Sequence, residues 1–206
     1  MHPIYMLSGN YGLARNYNKR IDFTGTYAAE DRFETDRTNA LVTLNETENQ
    51  TQPAIIAQLN RGVDNNFRPI LFGAIAKGAR GMGYWKDGGS VGDIAKRPWW
   101  DELPKIAKEI EQMMPLIRAD HKTSWSATCT HDKLIYGSRT VGEDHYMIIA
   151  NPTRKTIDAS FDLQNYQGKA SVIADYFTKN RIGKLKEGTF SLTMPPQSTK
   201  VIAFVK

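Results

Sequence analysis

An aromatic pair followed at once by charges is the stretch of the sequence with the clearest chemical potential. Tyr84 and Trp85 end a short apolar segment, and Lys86 and Asp87 follow directly. An exposed indole offers a flat apolar face that suits the C–H face of a sugar ring. The Asp87 carboxylate offers acceptors for hydroxyl groups. A core residue at the end of a strand is the alternative interpretation of Trp85, and it stays open.

Carboxylates also follow an earlier apolar segment. Glu30 lies three residues after Tyr27, and Asp31 and Glu34 come next. Two carboxyl groups that face one bond can act on it as general acid and general base. Glu30 is the candidate general acid or base, and Asp87 is its candidate partner. Glu30 also suits the first turn of a helix, where the dipole favours an acid, so that interpretation stays open.

The elements that must position these residues form a repeating pattern. Short apolar segments mostly unbroken by charge are typical of parallel strands covered on both faces. Two of the connections, Asp31–Leu44 and Phe67–Lys77, are helix-like, and the second has Pro69 near its start and Gly78 after its end. The four predicted strands are Ile4–Leu7, Phe23–Tyr27, Ala54–Leu59 and Gly81–Trp85.

The glycines around the fourth predicted strand fit a barrel built from such units. Gly78 allows the preceding helix to end in a left-handed conformation. Gly81 and Gly83 place small groups where a barrel interior leaves no room. In a (β/α)₈ barrel the substrate binds at the C-terminal ends of the strands, which is where Tyr84 and Trp85 lie. The sequence therefore predicts that residues 1–120 form partial TIM-barrel βα units.

The pattern changes after the fourth unit. Leu103, Ile106, Ala107, Ile110, Met113, Met114 and Ile117 form an apolar stripe that predicts a helix capped by Asp101 and kinked or ended at Pro115. From about Thr123 the period becomes two, with turn residues between the runs, Gly183 among them. About seven antiparallel strands in about 85 residues indicate a C-terminal β-sandwich over residues 121–206. The alternating runs are Ile157 to Leu163, Ala170 to Tyr176 and Phe190 to Met194.

Three longer runs bring a family into view. GAIAKGARGMGYW, RPWWDELPKIAKEIEQMMPLI and YMIIANP resemble the C-terminal part of TIM-barrel glycoside hydrolases. The resemblance covers nearly the whole chain. It implies that HPIYML, DFTGTY, PAIIAQL and ARGMGYW are strands five to eight of the barrel. The expected fold class is α/β plus all-β, a (β/α) half-barrel followed by an antiparallel β-sandwich. The expected function is that of a carbohydrate-active protein, the C-terminal portion of a glycoside hydrolase.

Two departures from the family pattern limit this expectation. Strands one to four are absent, so a separate N-terminal half-barrel chain, a homodimer or shielding by the sandwich must complete the sheet. The segment matching the end of strand seven carries Gln58 and Asn60, where the largest clan has a glutamate nucleophile. Gln58 can donate hydrogen bonds but cannot attack an anomeric carbon. The predicted substrate-binding residues are therefore Tyr27, Gln58, Asn60 and Trp85. The alternative function is a non-catalytic carbohydrate-binding or structural module.

Composition and motif content argue against several other classes of function. The net charge is +5 and the pI is about 9.2, but the basic residues are scattered, so a nucleic-acid partner rests on pI alone. No apolar run approaches the ~18 residues of a membrane span, and no signal peptide is visible at the start. The histidines lack metal-ligand spacing, and no phosphate loop is present. We therefore predict no metal, no cofactor, no nucleic acid and no membrane partner, and the localisation stays open. The single cysteine, Cys129, is predicted to be an inert thiol in a strand.

Overall fold

Four parallel strands form the N-terminal sheet, as the sequence predicts. The computed structural model describes residues 5–7, 23–29, 52–59, 67–86 and 100–206. The sheet order is β1-β2-β3-β4, and every neighbouring pair is parallel. One described connection, between β3 and β4, contains helix α1, which makes this segment a βα unit. The bounds are β1 Tyr5–Leu7, β2 Phe23–Ala29, β3 Gln52–Leu59, α1 Phe67–Ala76 and β4 Gly81–Lys86.

The predicted helix after β4 is divided into three pieces. A 3₁₀ turn, Trp100–Glu102, leads into α2, Leu103–Gln112, and α3, Met114–Arg118, follows. Pro115 lies in the first turn of α3, which confirms the predicted interruption. The predicted cap at Asp101 is wrong, because the 3₁₀ turn moves the N-cap position to Glu102, which makes no side-chain cap. Leu116, outside the predicted stripe, is buried, whereas Ala107, within it, is exposed.

Residues 126–205 form two packed antiparallel sheets, which confirms the predicted β-sandwich. The five-stranded sheet has the order β10-β9-β12-β7-β6, and the three-stranded sheet has the order β11-β8-β5. Gly183 was predicted to lie in a turn, but it belongs to an edge strand whose register shifts between Arg181 and Gly183. The strands are β5 Ser126–Cys129, β6 Ile135–Val141, β7 Asp144–Asn151, β8 Ile157–Gln164, β9 Val172–Asp175, β10 Arg181–Lys184, β11 Thr189–Met194 and β12 Ser198–Val205.

The space between the two sheets holds the first apolar cluster, called here the sandwich core. Strands β8 and β11 alternate strictly between buried and exposed residues, as the period-two pattern predicts. Phe161 and Phe190 stack with centroids 5.0 Å apart at an interplanar angle of 12°. The Nε1 of Trp125 donates a hydrogen bond to Thr140 at 3.0 Å. The buried members include Trp125, Met147, Ile149, Ile157, Phe161, Ile173, Phe190, Leu192, Met194, Ile202 and Phe204.

The opposite face of the five-stranded sheet is also buried, against the helices. This second cluster, called here the helix-facing core, joins α1, α2 and α3 to strands β7 and β12. It explains why the predicted alternation of Ala170 to Tyr176 is wrong in part. Ile173 lies in the sandwich core, whereas Tyr176 packs against the helices. The buried members are Leu71, Phe72, Ile75, Ala76, Ile106, Met113, Leu116, Ile117, Ile148 and Val201.

One arginine connects three elements at the edge of the helix-facing core. The Nε of Arg68, in α1, donates to the hydroxyl of Thr199 in β12 at 2.8 Å. The Nη2 of Arg68 forms an ion pair with Glu109 in α2. The guanidinium also lies 5.0 Å from the ring centroid of Phe72. Polar contacts thus fix α1 laterally where apolar packing alone would allow it to slide.

Asn151 ends β7 and satisfies its whole amide inside the sandwich. Its side chain has 0% exposure. The Nδ2 donates to the carbonyls of Lys155, Met194 and Pro195 at 2.9, 3.1 and 2.8 Å. The Oδ1 accepts from the backbone N–H and the hydroxyl of Thr153. The residue therefore ties the turn after β7 to the turn between β11 and β12.

We expect Asn151→Ala to lower the free energy of unfolding by ~2–4 kcal/mol, because it removes the hydrogen bonds of a buried amide that join the turn after β7 to the turn between β11 and β12. Urea unfolding measured by circular dichroism tests this. Asn180→Ala is the matched control, since Asn180 is exposed and its backbone rather than its side chain makes the hydrogen bonds. Equal loss in the two variants would contradict the role given to the Asn151 amide.

The two clusters predict opposite behaviour for neighbouring residues of β12 in a fragment covering residues 121–206. The fragment keeps the sandwich core and should fold, but it exposes Ile148 and Val201. Val201→Thr should cost ~1–3 kcal/mol in the full chain, where the hydroxyl would be buried among apolar side chains, and little in the fragment. Ile202→Thr should destabilise both, because Ile202 lies in the sandwich core. A random-coil circular dichroism spectrum of the fragment would count against the boundary near residue 120.

Candidate functional site

The C-terminal ends of the parallel strands bring three of the predicted binding residues together in the register. Gln58 in β3 is paired with Trp85 in β4, and Ala29 in β2 is paired with Gln58. Tyr27 is two residues before Ala29 and is paired with Ile56. Paired positions of parallel strands share a face of the sheet, and so do positions two apart along one strand. Tyr27, Gln58 and Trp85 thus occupy neighbouring positions on one face, at one edge.

The other three predicted site residues each follow a strand directly in the chain. Glu30 comes after β2, Asn60 after β3 and Asp87 after β4. All three lie outside the described residues. The strands that they follow are parallel and adjacent, so those strands end at the same edge of the sheet.

The short connection that leads into β4 begins at the C-terminal end of α1, where backbone hydrogen bonds terminate the helix. The N–H groups of Gly78 and Ala79 donate to the carbonyls of Ile75 and Ala74, both at 3.0 Å. This is the pattern of a Schellman motif, and Gly78 has the φ of +97° that it requires. The left-handed end predicted for Gly78 is confirmed. A Cβ at this position would also lie 2.9 Å from the His121 ring, so both the backbone and the available space favour glycine.

A buried arginine that the sequence analysis did not single out lies at the same helix end. Arg139, in β6, has 2% exposure. Its Nη2 donates to the carbonyls of Ile75 and Ala76, the latter at 3.2 Å. Its pKa is lowered to about 10, mainly by burial and also by the charge of Arg80, while Asp120 opposes the shift. The guanidinium remains charged at neutral pH and faces the negative end of the α1 dipole. No local pattern could reveal it, because the contact joins residues 64 apart.

A second tryptophan stands outside both apolar clusters. Trp100 begins the 3₁₀ turn after β4 and has 37% exposure. The neighbouring side chains of Asp101 and Glu102 are exposed as well. The Trp99-Trp100 pair is visible in the sequence, but it does not indicate where Trp100 lies relative to the sheet. Trp100 therefore serves as an exposed indole against which the role of Trp85 can be compared.

The described cavity on the sandwich does not contain any predicted site residue. It has a volume of about 280 Å³ and lies on the outer face of the three-stranded sheet. Its hydroxyl groups bond to one another, as in the 2.8 Å contact between Ser160 and Ser191. Thr193 donates to the Asp158 carboxylate at 2.5 Å. The cavity is an ordinary polar sheet surface rather than a prepared site.

The remaining ionisable groups of the described ranges form no centre of chemistry. Within those ranges, no group of His, Cys, Asp and Glu side chains could hold a metal ion. None of the helices seen there is long and apolar enough to cross a membrane. Cys129 ends β5, as predicted, and burial raises the pKa of its thiol, against a lowering contribution from the His131 N–H. A raised pKa keeps a thiol protonated and unreactive at neutral pH.

Comparison with known proteins supports the fold but not an activity. No family model matches the chain, and no curated protein matches it. Among solved structures, the chain is similar to a noncanonic maltogenic α-amylase, AmyB, from Thermotoga neapolitana. That match has a TM-score of 0.57 and 10% identity, and it covers 98% of this chain and 54% of AmyB.

Two xylanases of glycoside hydrolase family 30 match at lower TM-scores. One is the endoxylanase of Clostridium papyrosolvens, with a TM-score of 0.48 and 13% identity, covering 90% of this chain and 49% of that one. The other is Xyn30A of Clostridium acetobutylicum, with a TM-score of 0.49 and 11% identity, covering 99% and 56%. The chain spans about half the length of these solved structures. It has a glycoside-hydrolase-like fold.

Proposed function

We propose that the protein is carbohydrate-active and binds a saccharide at the C-terminal edge of the parallel sheet. The observation that carries the proposal is the register of β2, β3 and β4, which brings Tyr27, Gln58 and Trp85 to one face at one edge. This set combines two aromatic residues with an amide that both donates and accepts hydrogen bonds. Such a set is suited to the alternating apolar and hydroxyl surfaces of a sugar.

The architecture proposed for this site is a half-barrel followed by the sandwich, divided near residue 120. Four parallel strands with a βα connection support it, and so does the similarity to AmyB. Strands β1 to β4 then correspond to strands five to eight of a TIM barrel. In such barrels the βα loops at the C-terminal edge carry the functional residues, and the chain positions of Asn60 and Asp87, directly after β3 and β4, agree with this.

The proposed chemistry is hydrolysis of O-glycosidic bonds, with Glu30 and Asp87 as the carboxyl pair. The strands that precede them, β2 and β4, are separated by β3. Two interstrand spacings amount to about 10 Å at the backbone. A pair anchored at that distance favours the wider carboxyl spacing of inverting enzymes, about 6.5–9.5 Å, over the spacing of retaining ones.

The second candidate is a carbohydrate-binding module without catalysis. It is favoured by one specific observation, the neutral residues Gln58 and Asn60 at the end of β3. An amide at this position binds hydroxyl groups but supplies neither a proton nor a nucleophile. Both candidates use the same binding residues and differ only in the roles of Glu30 and Asp87.

Trp85→Ala should weaken saccharide binding by ~1–3 kcal/mol, which is the scale of a buried aromatic contact. The measurement is isothermal titration with maltoheptaose and xylohexaose, chosen for the amylase and xylanase similarities. Trp100→Ala is the matched control and should retain the affinity of the parent protein, because Trp100 lies outside the three register positions. Unchanged affinity in a folded Trp85→Ala protein would remove Trp85 from the site.

The open sheet predicts how the isolated chain behaves. Among the described residues, β1 and β4 each pair on one side only, and unpaired edges invite association. We expect light scattering to show an associated species, because the free sides of the sheet can pair with a second copy. We also expect no turnover of aryl glycosides, because a complete barrel would need further strands from a separate half-barrel chain or a second copy. A monomer that hydrolyses an aryl glycoside would contradict this, and loss of that activity in Glu30→Gln or Asp87→Asn would then assign the pair.

A further inference from the structure

The sandwich reaches the end of α1 through two neighbouring features of β6. Arg139 donates to the carbonyls of Ile75 and Ala76, and its Nη1 also donates to the Ser138 carbonyl at 2.6 Å. Gly137 lies against the same helix end, where an added Cβ would be 2.0 Å from the Ala76 oxygen. The backbone of β6 and the last turn of α1 are therefore in direct contact.

The arginine completes the set of acceptors that the helix end leaves open. The last four carbonyls of a helix have no partner within it. The Gly73 carbonyl accepts from the N–H of Lys77, the Ala74 carbonyl from those of Lys77 and Ala79, and the Ile75 carbonyl from that of Gly78, all at 3.0–3.1 Å. Among the described contacts, the Ala76 carbonyl accepts from Arg139. The acceptor nearest to β4 thus receives its hydrogen bond from the sandwich rather than from the residues that follow the helix.

The charge of Arg139 is kept in this position without full compensation. Its side chain is buried, and its Nε has no hydrogen-bond partner among the described residues. Burying a charge is costly unless hydrogen bonds and dipoles offset the cost. A methionine or leucine side chain would fill the same space without the free-energy cost of burying a charge. What the guanidinium adds is a directional connection to two specific carbonyls.

The connection from this helix end to the candidate site is short. Only Lys77, Gly78, Ala79 and Arg80 separate Ala76 from Gly81, the first residue of β4. Gly78 and Ala79 are buried, and a Cβ on Gly78 would touch His121. Trp85 lies four residues beyond Gly81, on the same strand. A displaced helix end would therefore displace the start of β4 and with it the register at Gln58 and Trp85.

We propose that Arg139 is a positioning residue of the candidate site, through which the β-sandwich fixes the end of α1 and thereby the placement of β4 and Trp85. The sandwich then contributes to the site without touching the ligand. This inference rests on the proposed function for its consequence in sugar binding. Its structural content, a local connection between β6 and β4, is independent of that function.

Hydrogen exchange of the full chain tests the connection directly, with Arg139→Met, Arg139→Lys and the control Arg181→Met. Arg181 is exposed and lies on β10, at the opposite edge of the five-stranded sheet. In Arg139→Met we expect protection of the amides of residues 77–86 to fall roughly tenfold or more, while β8 and β11 keep theirs. Arg139→Lys should restore part of the protection, and Arg181→Met should change nothing. An equal fall in all slow amides, or no protection of residues 77–79 in the parent protein, would overturn the proposal.

Fluorine NMR of 5-fluorotryptophan-labelled protein supplies a readout at the site. The Trp85 resonance, assigned with Trp85→Phe, should shift in Arg139→Met, whereas that of Trp125 in the sandwich core should not. Equal shifts of both would indicate a general structural loss and contradict a positioning role. Titration with maltoheptaose and xylohexaose separates the two hypotheses. A parent protein that binds neither sugar counts against the proposed function, while the exchange result decides the role of Arg139.

Discussion

The structure depends on two strands, β7 and β12, that are buried on both faces. In β7, Met147 and Ile149 point into the sandwich core and Ile148 points into the helix-facing core. In β12, Ile202 and Val201 divide in the same way. Each apolar side chain removed from water contributes ~1.5–3 kcal/mol before entropy is counted. The five-stranded sheet is therefore the middle layer of a three-layer arrangement, and neither neighbouring layer can move without exposing one of its faces.

Because both faces of the five-stranded sheet are buried, polar groups at its margins must find hydrogen-bond partners within the protein. Asn151 meets the demand completely, since both ends of its amide are bonded. Arg139 meets it in part, because Nη1 and Nη2 are bonded and Nε is not. Unmet hydrogen-bonding capacity at a buried site costs more than the bond would contribute. A charged group at such a site therefore contributes more by fixing the position of its partners than by adding stability.

The parts of this fold that could be predicted from the sequence are those in which one face of an element is buried. Strands β8 and β11 alternate cleanly, and α1 carries both of its end signals. The alternation predicted for Ala170 to Tyr176 is wrong in part because a period-two pattern assumes one solvent face, and Tyr176, directly after β9, packs against the helices instead. The position of Trp85 near the C-terminal end of β4 was predictable, because it follows from the strand pattern alone. Arg139 was not, because its partners are 63 and 64 residues away in the chain.

The sheet order also bears on which chemistry the edge can support. In the central strand of the three, β3, Gln58 is the last residue but one, and Asn60 follows the strand, so both of these polar residues are neutral. The acids Glu30 and Asp87 follow the strands on either side. Neutral amides in the middle are suited to holding hydroxyl groups in fixed positions, since they donate and accept without repelling a developing charge. The strands that precede the two acids are separated by β3, which amounts to about 10 Å at the backbone. Under the proposed function, this order would place the amides of the central strand between the two acids, which agrees with the wider carboxyl spacing of an inverting hydrolase rather than the spacing of a retaining one.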